Sequence, residues 1–446
     1  MTSRNSKKYA IMLVSILIML MFVIAGCDSN IAGSAVNPGD GSGDAAAEEQ
    51  ADQDSAADSE AGTGDTQAGT AGSENGMAGN QNDAAGTQDG AADQDAQQNN
   101  DLMTDQDAQQ ITSKLPEPDM EEISVNDING IAIGQAENDK AGTGLTVFIS
   151  KDGMPAGLDI RGGGPATRET GLLDPITTAQ SIHAVVLSGG SAYGLGAADG
   201  VMAYLEEKGI GYDTGVAKVP LVAQTDLFDL SVGDSAVRPD AEMAYAAAKS
   251  ALESPNYKDG NFGAGCGASV GKIAGMDTAM KTGIGSYAIR IGDLEIGAVV
   301  AVNSLGDIYD WKTGKKIAGL LNEDKTGFSD TTMYMAQNIV PNDNKFTGNT
   351  AIGIVITNAS FTKPQLCKIA GMTHDGFARS IRPVHTSADG DAIFAVSVGK
   401  IEADQDLVGT LSAIVMSEAI KRAVNSADSA YGLPAAKDLT FAKSGN

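Results

Sequence analysis

Gly348-Asn349-Thr350, followed by Ala351-Ile352-Gly353-Ile354-Val355-Ile356-Thr357, is the stretch that decides how this chain is read. The residues before it, Pro341 to Lys345 (PNDNK), are polar and turn-prone, and the run behind it is apolar and β-branched. A run of that kind bounded by turn residues predicts a buried strand. Thr350 then stands at the mouth of the strand with Asn349 before it. A threonine hydroxyl is a weak nucleophile and needs a base within hydrogen-bond reach, and a free α-amine on the same residue can be that base. With a pKa of about 7.7–8.0, such an amine is partly neutral near pH 7. The pairing arises if the chain cuts itself between Asn349 and Thr350, the Thr350 hydroxyl first attacking the Asn349 carbonyl. Alone, Asn-Thr before a strand is an ordinary loop-to-strand junction, so its partners must come from elsewhere in the chain.

Around that strand the pattern alternates short apolar runs, Gly-rich turns and Ala-rich helices, which argues α/β. Strands are expected over Ile131–Gln135, Leu145–Ser150, Leu158–Arg161 and His183–Leu187. Helices are expected over Leu195–Lys208 and Ala241–Leu252. Ser286–Ile291 and Glu295–Val302 read as a hairpin across Gly292-Asp293. Trp311–Phe346 shows no clear periodicity and reads as a surface excursion over the site. Behind Thr350, a helix over Lys363–Ile381, a strand over Ala392–Val398 and a long helix over Leu407–Asn425 complete the order.

The amino-terminal part has a different character. Residues 1–26 carry Arg4, Lys7 and Lys8, then the apolar core Ile11–Ile24, then Ala25-Gly26 before Cys27. That is the pattern of a bacterial lipoprotein signal peptide, cut before Cys27 with lipid added to its thiol. Residues 27–115 are an acidic Ala/Gly/Asp/Gln-rich linker without aromatic residues, expected to be disordered because it has too little apolar surface to bury. Much of the net charge of −28 sits there, so the charge says little about partners of the folded part. Residues 116–446 remain, enough for a large core in one big domain or two lobes. These features place the chain on the extracytoplasmic side of the cell membrane, held by lipid on Cys27. No basic patch with interleaved aromatics points to nucleic acid.

Several glycine motifs fail on inspection. Gly265 to Lys272 (GCGASVGK) resembles a phosphate loop, but its required first glycine falls on Cys266 and Ile273 replaces the hydroxyl residue. Gly189-Gly190-Ser191-Ala192-Tyr193 lacks the glycine that closes a nucleophile elbow. A Ser/His/Asp arrangement through Ser188 or Ser191 stays open. The three histidines, His183, His374 and His385, have no ligand spacing, so no metal and no cofactor are expected. Cys266 and Cys367 read as two buried free thiols rather than a pair. What holds is a set of polar residues at strand and loop ends: Asn303, Lys272, Asp389 and Asp391.

The stretches Arg168–Leu173 (RETGLL), 183–195 (HAVVLSGGSAYGL), 260–272 (GNFGAGCGASVGK), 348–359 (GNTAIGIVITNA) and 374–396 (HDGFARSIRPVHTSADGDAIFAV) together resemble the DmpA-like self-processing peptidases. The resemblance spans nearly all of residues 120–430. It implies a four-layer αββα sandwich similar to the N-terminal-nucleophile hydrolases, and self-cleavage into two chains. It implies Thr350 as nucleophile and Asn349 as the residue before the cut. It also implies Asn303 in the oxyanion hole, Lys272 as the active-site lysine, and Asp389 and Asp391 as the pair that holds the new amine. Members with aminopeptidase activity often carry a tyrosine in the segment equivalent to Val222–Leu230, which here is VAQTDLFDL without one. The substrate implied is a small peptide, amide or ester hydrolysed through a Thr350 acyl-enzyme, in a homo-oligomer of processed units. An acyltransferase using the same acyl-enzyme and a non-catalytic ligand-binding surface lipoprotein are the alternatives.

Overall fold

The computed structural model describes residues 119–338 and 348–441, which belong to one unit, Gln98–Asn446. The leader, Cys27, the linker read over 27–115 and the PNDNK turn lie outside the described residues. Two large sheets draw on β1 (Met120–Ile123), β2 (Ala132–Asn138), β3 (Thr143–Met154), β4 (Ala156–Ile160), β5 (Ala166–Arg168), β6 (Ile182–Ser188), β7 (Val222–Asp226), β8 (Ile284–Ile291), β9 (Leu294–Asn303), β10 (Thr350–Ala359) and β11 (Ala392–Ile401). The helices are α1 (Ala198–Glu207), α2 (Ala241–Glu253), α3 (Thr331–Gln337), α4 (Lys363–Ser380) and α5 (Gln405–Asn425). One sheet has the order β1-β8-β9-β10-β11-β4 and the other β2-β3-β6-β7-β5.

Side-chain alternation along the strands sorts the apolar residues into three cores, and the cores define four layers. On β10, Ile352, Ile354 and Ile356 face the other sheet, while Ala351 and Val355 face α4 and α5. On β9, Val299 and Ala301 point inward to the sheet interface, and Ala298, Val300 and Val302 point toward the helices. The second sheet repeats the rule. Val185 and Leu187 of β6 join the central core, whereas Ala184 and Val186 pack with Val201, Tyr204 and Ala244 of α1 and α2. Both strand faces are therefore apolar, which is why the Thr350 stretch reads as an unbroken hydrophobic run rather than an alternating one. Each fully buried Ile or Val contributes about 1.5–3 kcal/mol before entropy is charged against it. The architecture is the expected αββα sandwich.

Small residues let the outer helices lie directly on the sheets. A Cβ on Gly134 of β2 would sit 2.2 Å from the Ala247 carbonyl of α2, and one on Gly285 of β8 would sit 2.2 Å from the Ala423 nitrogen of α5. The helix starts are capped locally. Asp240 accepts from the Met243 N–H and Asp404 from the Leu407 N–H, and Thr362 with Gln365 forms a capping box ahead of α4.

Three expectations change. The segment expected as a helix from Leu195 begins as a 3-10 turn, Ser191–Ala197, and becomes α-helical only at Ala198. Cys266 is a buried free thiol as read, but Cys367 is only half-buried. The described part of the stretch after Trp311 is built, with a strand at Lys316–Ala318 and then α3. It is organised by one buried carboxylate instead of hydrophobic periodicity. Asp307 accepts from Lys316 Nζ (2.6 Å), the Leu320 N–H (2.8 Å), and the Thr331 N–H and hydroxyl (3.0 and 2.8 Å). A polar hub leaves no period to read.

Candidate active site

Three strand ends converge on the Asn349–Thr350 bond. β9 and β10 are antiparallel neighbours in a register that sets Asn303 opposite Thr350. β10 and β11 are parallel, joined by α4, and their pairing continues one step upstream as a bridge between Asn349 and Asp389. The turn 162–164 straps the start of β11 in place: the Gly164 N–H reaches the Asp389 carbonyl at 2.8 Å, and the Arg161 N–H reaches the Asp391 carbonyl at 3.0 Å. Thr350, Asn349, Asn303, Lys272, Asp389 and Asp391 are all buried. The structure thus brings every site residue of the folded part read from the sequence to one place.

At the bond itself, the Thr350 hydroxyl donates to the Asn349 carbonyl oxygen. The same oxygen accepts the Gly390 N–H at 3.0 Å. Gly390 is pressed against this corner: a Cβ there would lie 2.8 Å from Thr350 Oγ1 and 2.8 Å from the Gly164 carbonyl. Asp391 Oδ1 accepts the N–H of Ala351, the residue beside Thr350, at 2.8 Å. Its other oxygen takes the His385 N–H (3.1 Å) and pairs with His385 Nδ1 (2.9 Å). Asp389 turns its carboxylate to the Thr386 N–H and hydroxyl, at 2.8 and 2.6 Å, and so braces its own loop.

Lys272 and Asn303 act one residue upstream. Lys272 Nζ donates to Asn303 Oδ1 (2.8 Å), to the Asn303 carbonyl (3.1 Å) and to the Gly348 carbonyl (2.5 Å). Asn303 Nδ2 donates to the Phe228 carbonyl (2.8 Å) and to the same Gly348 carbonyl (3.2 Å). The Asn303 amide therefore lies on Gly348, while the donors on the Asn349 carbonyl are the Thr350 hydroxyl and the Gly390 N–H. The glycine loop that failed as a phosphate motif serves as the mount for Lys272, and its Ser269 N–H also reaches Asn303 Oδ1 at 3.1 Å.

Burial dominates the electrostatics. It lowers Lys272 to about 7, against the opposing pull of Asp389 and Asp229. It raises Asp389 to about 6, with the like charge of Asp391 adding to the shift. Asp229 is likewise pushed up to about 6 by burial, although the Thr143 hydroxyl and the Gly190 N–H stabilise its carboxylate. Lys272, Asp389 and Asp229 are thus brought to values close to neutrality, as acid–base chemistry requires.

Some participants went unread in the sequence. Gly390 was visible only as the spacer in Asp389-Gly390-Asp391. His385, six residues before Asp391, was noted but given no role. Asp229 and Phe228 lie in the segment singled out for its missing tyrosine. For the serine alternative, the Ser188 hydroxyl donates to the Gly189 carbonyl rather than to a histidine, and His183 Nδ1 accepts the Leu221 N–H. Among the described residues, no group of three or more His, Cys, Asp or Glu side chains is placed to hold a metal ion.

Comparison with known proteins gives the family. The sequence model of peptidase family S58 matches residues 124–440. An uncharacterised aminopeptidase of Mycobacterium leprae is 36% identical over 347 residues, covering 70% of this chain and 92% of the relative. A 6-aminohexanoate-oligomer endohydrolase of Agromyces is 34% identical over 281 residues, covering 62% of this chain and 75% of the relative. A solved structure from Pyrococcus horikoshii superposes with a TM-score of 0.50 at 20% identity, over 72% of this chain and 90% of that one, which speaks to the fold alone. On the extent of the family match and the identity of these relatives, the chain belongs to peptidase family S58 and is an aminopeptidase-like hydrolase of peptide and amide bonds.

Proposed function

We propose that this hydrolase makes its own active site by cutting between Asn349 and Thr350, and then uses Thr350 as the nucleophile on small peptide or amide substrates. The observation that carries the reading is the pair of donors on one carbonyl: the Thr350 hydroxyl and the Gly390 N–H both meet the Asn349 oxygen. The hydroxyl lies against the group it is to attack, and a backbone N–H waits where the oxyanion forms.

In the first reaction Thr350 Oγ1 adds to the Asn349 carbonyl carbon. The peptide C–N bond breaks, an ester forms on Oγ1, and the Thr350 nitrogen becomes a free amine. Water then hydrolyses the ester, leaving a carboxylate on Asn349 and a hydroxyl on Thr350. In turnover the new amine takes the hydroxyl proton as Thr350 attacks a substrate carbonyl, and passes it to the departing amine. Asp391, fixed through Ala351 and His385, and Asp389 beside it supply the negative field that orients the amine. Lys272 opposes protonation of that amine by like-charge repulsion.

Intact-mass measurement of the purified wild type beside Thr350→Ala tests the reading. The wild type should split into chains ending at Asn349 and beginning at Thr350, and the variant should stay whole. A wild type that stays whole, or a variant split at the same bond, removes the central claim.

A further inference from the structure

The segment before the cut is an acyl donor already seated in the site, and its contacts specify what a later donor should look like. This step rests on the Thr350 reading: in self-cleavage, the acyl group passed to Thr350 is the chain ending in Gly348-Asn349. A substrate's acyl group must afterwards place its carbonyl at the same nucleophile and under the same Gly390 N–H.

One residue back from the reacting carbonyl, the Gly348 oxygen receives two donors, Lys272 Nζ at 2.5 Å and Asn303 Nδ2 at 3.2 Å. Both come from buried residues, Asn303 at 0% and Lys272 at 7% exposure. Lys272 makes its shortest contact there. A substrate whose reacting residue ends in a free amine has no atom at this place, so the ammonium would lose that acceptor in a water-poor site. The position is also narrow. Gly348 has φ +49°, and a Cβ on it would lie 2.3 Å from Phe228 Cδ1 and 2.7 Å from Cε1, so the Phe228 ring closes over an unsubstituted carbon.

We propose that the acyl side of the site takes a residue whose nitrogen is itself acylated, with glycine preferred as the acylating unit. The enzyme would then cut amides inside a peptide chain in preference to releasing a residue with a free amino terminus. The chemistry is ordinary hydrolysis. The C–N bond breaks with the proton from Thr350 going to the leaving amine, and water supplies the hydroxyl to the acyl carbon and a proton back to Thr350 Oγ1.

The test uses the processed wild-type enzyme and four p-nitroanilides: acetyl-Gly-Asn, acetyl-Asn, acetyl-Ala-Asn, and Asn with a free amine. Loss of a charge-assisted bond and its neighbour predicts kcat/KM about 10²-fold lower for free Asn than for acetyl-Gly-Asn. Acetyl-Asn keeps the carbonyl and should stay within about tenfold of the glycyl compound, while acetyl-Ala-Asn should fall below it by about tenfold. Free Asn anilide turned over as fast as the acylated ones overturns the proposal. If none is turned over, calorimetric binding of acetyl-Gly-Asn and of asparagine decides. Tighter binding of acetyl-Gly-Asn sustains the proposal, and equal, weaker or absent binding overturns it. Failure of the underlying reading looks different, because the chain then never splits and both ideas fall together.

Discussion

Replacing Gly390 with alanine adds one methyl group at the corner where self-cleavage is proposed to start. That methyl would meet the Gly164 carbonyl at 2.8 Å, Thr350 Oγ1 at 2.8 Å and Pro165 Cα at 3.3 Å. Two of these neighbours are backbone, and the Gly164 N–H is tied to the Asp389 carbonyl at 2.8 Å, so the 162–165 turn cannot simply swing away. The relief available is to rotate Thr350 off the Asn349 carbonyl, or to push the 389–391 backbone back and draw the Gly390 N–H off the Asn349 oxygen, now 3.0 Å away. Either movement removes one of the two donors on the scissile carbonyl. Losing an oxyanion donor costs about 10²–10³ in rate, or about 2.7–4 kcal/mol of barrier. Overpacking a filled interior costs about 1–3 kcal/mol of stability. The rate effect exceeds the stability effect, so Gly390→Ala should fold and yet process about 10²-fold more slowly. A time course of chain splitting by denaturing gel and intact mass, started from freshly synthesised protein, measures the rate, and a urea unfolding curve measures the fold. A folded variant that splits at the wild-type rate refutes the assignment of Gly390 and the steric reasoning together.

Two further outcomes follow from buried charge. Lys281 is fully buried with Nζ on the carbonyls of Gly265, Ala268 and Thr282, so Lys281→Met strands three acceptors under the loop that carries Lys272. At about 1–3 kcal/mol for each buried unsatisfied group, and with partial relaxation, a loss of about 3 kcal/mol or more is expected in urea unfolding; an unchanged midpoint would show that the lysine holds nothing. Asp229 has a folded value of about 6 against 3.8 for the free group. The folded state therefore binds more protons than the unfolded chain between these values. The protonated carboxyl's contribution is complete below about pH 4 and is lost as pH rises through 6. Asp229→Asn should accordingly gain on the wild type by up to about 3 kcal/mol between pH 4 and 7, and a difference that does not vary with pH would contradict the burial argument.

The strands and helices were legible because they follow from local pattern, whereas their stacking in four layers was expected only from the family resemblance. An apolar run such as Val299 to Val302 marks a strand, whose geometry then sends alternate residues to opposite faces, and Gly292-Asp293 marks the hairpin. The excursion after Trp311 was illegible because Asp307, a single carboxylate with partners up to 24 residues away, holds it without any period.

At the site, the sequence by itself placed Thr350 at the head of an apolar strand, put Asn349 before it, and set Asp389 and Asp391 at the head of another. It also set Asn303 at the end of a strand and Lys272 at the end of a glycine loop, and family resemblance gave these residues their expected roles. Only the tertiary structure decided which atoms meet. Register pairs Asn303 with Thr350, and the parallel crossover through α4 brings Gly390 rather than a side chain to the Asn349 carbonyl. His385 joins Asp391, and Lys272 reaches past Asn303 to Gly348. The reason is physical: periodicity fixes a residue's face, but its rung on the ladder depends on strands about 40 to 60 residues apart settling into one register.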